Sequence, residues 1–324
     1  MHVPLWVWFV TVLVICAIIV ADLVYADRRP HTVSMREATM WVLLYVGLAG
    51  VFCLILLFTA GSGPAGEFLA GYITEYSLSV DNLFVFVILL SRFAVPAINQ
   101  HKVLLIGIAI SLVLRALFIA AGTAAVNAFE WIFYLFGALL IYTAIKLAFQ
   151  NEGEEADFTE GRIVRLMRRL VPTTKEYDGS RLVTTVDGRR MFTPMVIVVL
   201  AIGAANVVFA LDSIPAIFGL TQVGFLVFAA NAFALMGLRQ LYFLLGGLLD
   251  RLLYLSYGLA VVLAFIGVKL ILEAMESEGL SDIGPVHLPH IGIIASLVFI
   301  AATLTVTSVA SLAASRHRAA SRAN

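Results

Sequence analysis

"EYSLSVDNLFVF", residues 75–86, reads as the inside of an apolar segment, yet it carries Glu75, Asp81 and Asn82. A second stretch, "NVVFALDSIPAIF" at 206–218, has the same form: Asn206 stands where Glu75 does, and Asp212 follows it at the spacing at which Asp81 follows Glu75. The chain around them has 324 residues, of which 61% are hydrophobic and 13% charged. Its mean hydropathy is +1.00. A single soluble core cannot absorb that much apolar surface, so the bilayer is the main solvent. The expectation is an all-α polytopic membrane protein, because only helices and closed barrels satisfy their backbone in hydrocarbon.

Apolar runs of about 20 residues, each long enough to cross roughly 30 Å of hydrocarbon, lie near 4–25, 38–60, 66–90, 102–121, 127–149, 194–218, 223–245, 251–272 and 289–314. They predict nine helices, grouped as helices 1–5 (1–149), a polar segment (150–193), helices 6–9 (194–314) and a basic tail (315–324). The first run has no positive flank and is too long for the core of a cleaved signal, so it is expected to stay as an anchor. Cys16 and Cys53 lie in apolar runs without CxxC spacing. They read as small buried hydrophobes rather than a disulfide framework or a thiolate metal site.

Lys and Arg alternate from loop to loop. Arg28, Arg29, Arg36, Arg92, Lys102, Arg251, Arg316, Arg318 and Arg322 fall on one side, whereas "GSGPAGE", "GTAAVNAFE", "GLTQVG" and "EAMESEGLSDIGPVHLP" hold none. By the positive-inside bias the N-terminus lies outside and the C-terminus in the cytoplasm. Segment 150–193 is then cytoplasmic. Within it "GRIVRLMRRLVP" (161–172) suits either a short amphipathic helix on anionic lipid or a solvated linker. Alternating polar and β-prone residues around two Asp-Gly pairs in 173–193 read as a small hairpin. Protein partners could dock on this segment, and nothing in it resembles a nucleic-acid site.

The similarity between 75–86 and 206–218 extends further. "LRALFIAAG" (114–122) is echoed by "LRQLYFLLG" (238–246), setting Arg115 against Arg239, and "TAIKLAF" (143–149) by "FIGVKLIL" (265–272), setting Lys146 against Lys269. Three matches in one order predict a repeat of helices 3–5 in helices 6–8. With three helices per unit the second copy is inverted in the membrane, and inverted repeats place their site at the repeat interface near the midplane. This accounts for Lys269 lying near an outer helix end, where the charge bias would not put it.

Intramembrane Asp and Glu each cost about 2.5–3.5 kcal/mol at a helix centre, so each needs a partner. Glu75, Asp81 and Asp212, with Ser79, Asn82, Asn206 and Ser213, offer the hard oxygens that Mg²⁺, Mn²⁺ or Ca²⁺ take. On an unbroken helix Asp81 points away from the Glu75, Ser79 and Asn82 face, and Pro215 beside Asp212 predicts a break that would free carbonyls. Two other readings stand beside a cation site: ion pairs of the acids with Arg115 or Arg239, and a proton relay without metal. Asn127, Asn231, Thr74 and Ser77 read as helix-to-helix hydrogen-bonding groups. No HExxH, His pair, Cys cluster or nucleophile–base pair is present in the sequence, which argues against an enzyme.

"SVDN", "DSIPAIF" and "NAFALMGLRQLYFLLGGLL" resemble the signature segments of the TerC family of integral membrane proteins, named for tellurium resistance, from the second helix to the ninth. The resemblance implies a multi-pass protein of a bacterial inner membrane, related to the LysE-type exporters. Members export Mn²⁺ or are linked to tellurite resistance or to metalation of exported enzymes. It implies Mn²⁺ as transported substrate rather than a tightly bound cofactor, with Glu75, Asp81, Asn82 and Asp212 on the metal path. The chain departs from the family where "GAANVVFALDS" has Gly203 and Asn206 in place of acids, which weakens the second half-site. The alternative is a scaffold or stress-complex component with a degenerate site.

Overall fold

The computed structural model describes residues 3–28, 35–129, 131–149, 173–174, 177–179, 181–186, 189–245, 254–277, 282–283, 286–287 and 291–323. Ten helices occur among them: α1 (Leu5–Arg28), α2 (Met35–Ala60), α3 (Ser62–Arg92), α4 (Ala97–Ala128), α5 (Ile132–Phe149), α6 (Pro194–Phe218), α7 (Gly224–Met236), α8 (Leu238–Leu245), α9 (Leu255–Ser277) and α10 (Ile293–Ala323). Seven of these, α2 to α6, α9 and α10, are long and apolar enough to cross a membrane. The architecture is an all-α polytopic membrane protein. Exposed leucines and phenylalanines such as Phe58 and Leu117 cover its outside, which is the surface a hydrocarbon solvent selects.

Three local expectations need correction, the first being that Cys16 is exposed and Cys53 half-buried rather than both buried. The single run expected at 223–245 is two helices, with Gly237 capping α7 and α8 starting at once behind it. Glycine is about 1 kcal/mol poorer than alanine inside a helix, and the chain bends there instead of continuing. Residues Phe225–Met236 of α7 are all buried, so this short helix is the centre of the bundle and not a lipid-facing span. The break expected at Pro215 is absent: α6 runs through it to Phe218. Proline sits within a turn of the helix end, so only the bond to the Leu211 carbonyl is forfeited and the last turn still closes, Gly219 N–H donating to the Pro215 carbonyl at 3.0 Å. α3 is likewise unbroken across Glu75 and Asp81.

Three helix pairs dominate the packing: α3 lies on α7, α4 on α6 and α5 on α9. The α5–α9 crossing is the closest. A Cβ on Gly137 would stand 2.8 Å from the Gly267 carbonyl oxygen, and one on Gly267 would stand 2.9 Å from that of Gly137. Small residues at a membrane helix crossing let two backbones touch where no hydrophobic drive exists between helices. α2 packs on α3 and α8, and α10 on α3 and α9.

Strands β1 (Val183–Val186) and β2 (Arg189–Phe192) form the antiparallel hairpin that the alternation predicts, with Val183 opposite Phe192. It sits at the bundle end where α4 and α6 begin. Tyr177 and Leu182 pack on a core of Leu89, Val95, Val103, Met195 and Val198. The Tyr177 hydroxyl donates to the Phe93 carbonyl at 2.7 Å, and Asn99 Nδ2 donates to the Gly179 carbonyl at 2.7 Å. A second short pair, β3 (Asp282–Ile283) with β4 (Val286–His287), lies between α9 and α10. The amphipathic stretch expected at 161–172 lies outside the described residues.

A buried charge cluster as candidate functional site

Glu75 sits in the middle of α3 with no accessible surface. Its Oε1 accepts from Ser79 Oγ, one turn on, at 3.2 Å, and from Arg115 Nη1 of α4. The same Arg115 nitrogen donates to Asn231 Oδ1 of α7 at 2.5 Å. Asn231 is held in that orientation because its Nδ2 donates to the Val227 carbonyl at 2.9 Å. Three helices thus meet at one charge pair. Arg115 is only 2% exposed, so neither charge has water to fall back on, and removing one partner of such a pair costs about 3–5 kcal/mol.

The cluster is not fully satisfied. Among the described residues two of its own atoms, Glu75 Oε2 and Arg115 Nε, are buried without a hydrogen-bond partner, as are Thr74 Oγ1, Ser111 Oγ and Ser213 Oγ elsewhere in the chain. Native interiors leave few such atoms, and each asks for an explanation. Glu75 therefore has one oxygen hydrogen-bonded to protein side chains and one buried without a hydrogen bond.

The structure brings only some of the sequence-derived residues together. Glu75, Ser79 and Arg115 meet; of the two arginines weighed as charge partners, Arg115 pairs with Glu75. Asp212 makes a different contact, accepting from Thr143 Oγ1 of α5 at 3.0 Å. It is half-buried, next to the exposed Leu211. Asn206 is 3% exposed and spends its Nδ2 on the Gly107 carbonyl of α4 at 3.1 Å. Ser213 is buried and Asn82 half-buried. The side chains of Asp81, Asn127 and Arg239 lie outside the described residues. Among the described residues no three His, Cys, Asp or Glu side chains gather into a metal-binding group.

The partners of two groups are not legible in the sequence. Asn231 reads in sequence as one more polar group in an apolar helix, and its place opposite Arg115 follows only from the α3–α4–α7 packing. Lys269 stands against the charge bias, and its partners explain its place: Nζ donates to the carbonyl of Gly219, the residue capping α6, at 2.8 Å and pairs with Glu273 at 3.1 Å. A cation at the carboxyl end of a helix is stabilised by the helix dipole. Beside it, Thr221 Oγ1 donates to Glu67 Oε2 at 2.6 Å.

Comparison with known proteins points in one direction. The family model described as "Integral membrane protein TerC family" matches residues 60–319. The uncharacterized membrane protein Rv2723 of Mycobacterium tuberculosis is 45% identical over 319 residues, covering 97% of this chain and 80% of the relative. The putative membrane-bound redox modulator Alx of Salmonella typhi is 38% identical over 314 residues, covering 94% and 92%. The thylakoid membrane protein TERC of Arabidopsis thaliana is 43% identical over 249 residues, covering 77% and 64%. No solved structure matches.

Proposed function

This chain belongs to the TerC family of integral membrane proteins, and we propose on that premise that it exports a divalent metal cation, Mn²⁺ foremost, by alternating access. The observation that carries the reading is the half-open carboxylate: Glu75 is fully buried in a membrane helix and keeps Oε2 without a partner among the described residues. An acid at that depth is costly unless something uses it. In this reading Glu75, Asp81 and Asp212 supply the charge, Asn82, Asn206, Ser79 and Ser213 supply neutral oxygens, and Mn²⁺ is substrate rather than resident cofactor.

The packing supports the inverted repeat on which alternating access rests. A two-fold axis relating helices 3–5 to the second set makes any contact of the first helix of one set with the second of the other recur in its symmetry mate, and lets the third helices meet each other. The pairs α3–α7, α4–α6 and α5–α9 have that form. The alignment that sets Arg115 against Arg239 also sets Gly107 against Asn231, and Glu75 is aligned with Asn206. Glu75 meets Asn231 through Arg115, and Asn206 meets Gly107. Bacterial inner-membrane location, with the N-terminus outside and the hairpin end in the cytoplasm, belongs to the same reading.

Uptake of radioactive Mn²⁺ into everted vesicles tests it, comparing wild type with Asp81→Ala and Asp212→Ala. Flux in wild type and at least a tenfold loss in both variants is the expected result; no flux, or equal flux in all three, ends the reading. A second reading, a non-transporting scaffold, draws on the fact that Arg115 already meets the Glu75 charge. A wild type without flux, whose segment 150–193 retains a protein partner through purification, would favour it.

A further inference from the structure

We infer that Arg115 is a tethered counter-ion that the transported cation displaces from Glu75, and that Asn231 is the acceptor that keeps the displaced guanidinium in place. The inference rests on the transport reading and concerns how its site is regulated.

In the observed state Arg115 neutralises Glu75, so a divalent ion meets no net charge at this carboxylate. A cation that takes Glu75 while Arg115 remains beside it places two positive centres in a low-dielectric interior, where Coulomb terms are several times larger than in water. The guanidinium must yield. An arginine with no acceptor would then be a buried charge without a hydrogen bond, which is strongly destabilising. Here it has a destination. Nη1 is already shared between Glu75 Oε1 and Asn231 Oδ1, and Asn231 is fixed by its own bond to the Val227 carbonyl.

The unpartnered atoms match such an exchange. Arg115 Nε and Glu75 Oε2 both stand unused, one a donor for the displaced position and the other an acceptor for the arriving ion. Asn231 is neutral, so it holds Arg115 more weakly than Glu75 does, and the arginine returns once the cation leaves. Arg115 therefore closes the empty site and sets a threshold that the ion's own charge has to exceed. Because Asn231 belongs to α7 and Glu75 to α3, the hand-over shifts the charge contact from one half of the molecule to the other.

Equilibrium Mn²⁺ binding to the purified full chain in nanodiscs, read by electron paramagnetic resonance, tests the inference together with Mn²⁺ flux. Arg115→Gln is expected to bind Mn²⁺ at least tenfold tighter than wild type while its flux falls, because the ion is no longer expelled. Because loss of a buried partner can prevent folding, Asn231→Asp is the second arm. It leaves Glu75 and Arg115 intact, draws the guanidinium to α7, and is expected to tighten Mn²⁺ binding severalfold. Asn231→Leu removes the destination and should weaken it. If wild type binds Mn²⁺ and Asn231→Asp leaves the affinity unchanged or weaker, the exchange is refuted while transport stands. If wild type neither binds nor moves Mn²⁺, the transport reading falls and this inference with it.

Discussion

Adding one methyl group at the α5–α9 crossing should cost more than the helix propensity it gains. In Gly267→Ala the new Cβ lies 2.9 Å from both the Gly137 carbonyl oxygen and Ile141 Cγ1, and 3.2 Å from Leu140 Cβ. Ordinary contact begins near 3.4 Å, and a carbonyl in a packed helix cannot swing aside, so the two helices have to part by roughly half an ångström. Overpacking of this kind costs about 1–3 kcal/mol. Alanine for glycine in a helix returns about 1 kcal/mol, which obscures the steric term if the variant is judged alone. Gly50→Ala in α2 isolates it, because nothing lies within 4 Å of the added Cβ. The propensity gain is common to both, so the difference between them is the steric term, and Gly267→Ala should be less stable than Gly50→Ala by about 1–3 kcal/mol. Reversible unfolding in mixed micelles with increasing sodium dodecyl sulfate measures it. Equal midpoints for the two variants would refute the close crossing.

Asn206→Asp puts a carboxylate against the Gly107 carbonyl in place of the 3.1 Å donor. Without metal it should be less stable by about 1–3 kcal/mol, with Mn²⁺ restoring part of the loss; stability equal to wild type in chelator would count against the contact. Lys269→Met strips the Gly219 carbonyl and Glu273 of their partner, and the micelle titration should register about 1–3 kcal/mol. A midpoint unmoved by that change would mean that Lys269 does not secure the end of α6. Tyr177→Phe removes the 2.7 Å bond to Phe93, worth about 0.5–1.5 kcal/mol, so protease should cut segment 173–193 severalfold faster; an unchanged rate would speak against a docked hairpin.

Much of the fold can be read from hydropathy, because membrane helices announce themselves by length: α2 to α6, α9 and α10 all fall on apolar runs. What hydropathy cannot resolve is a break inside such a run. Gly237 lies between equally apolar residues, and only the burial of α7 on every side distinguishes a central half-helix from an ordinary span. Pro215 misleads in the other direction, since its effect depends on how many turns follow it. Buried Glu75 is legible as an expensive residue, and Arg115 as one of two candidate partners. The choice between them, and the role of Asn231, depends on which helices cross at that depth, which no local pattern encodes. Lys269 shows the same limit: its misfit with the charge bias is visible, but the helix terminus it serves is contributed by α6, some 50 residues away in the chain.

The hairpin between the two halves is a mechanical strut rather than slack chain. At one end it is pinned to the α3–α4 corner through Phe93 and Asn99. The corner is itself stiff, because the Ala94 and Val95 N–H groups close back onto Ser91 and Leu90 of α3. At the other end Thr193, the cap of α6, bonds to Arg181 and Leu182 at the hairpin's base. The α3–α4 corner and the first turn of α6 therefore lie on one short hydrogen-bonded path through this segment, which ties the two halves together at this end of the bundle.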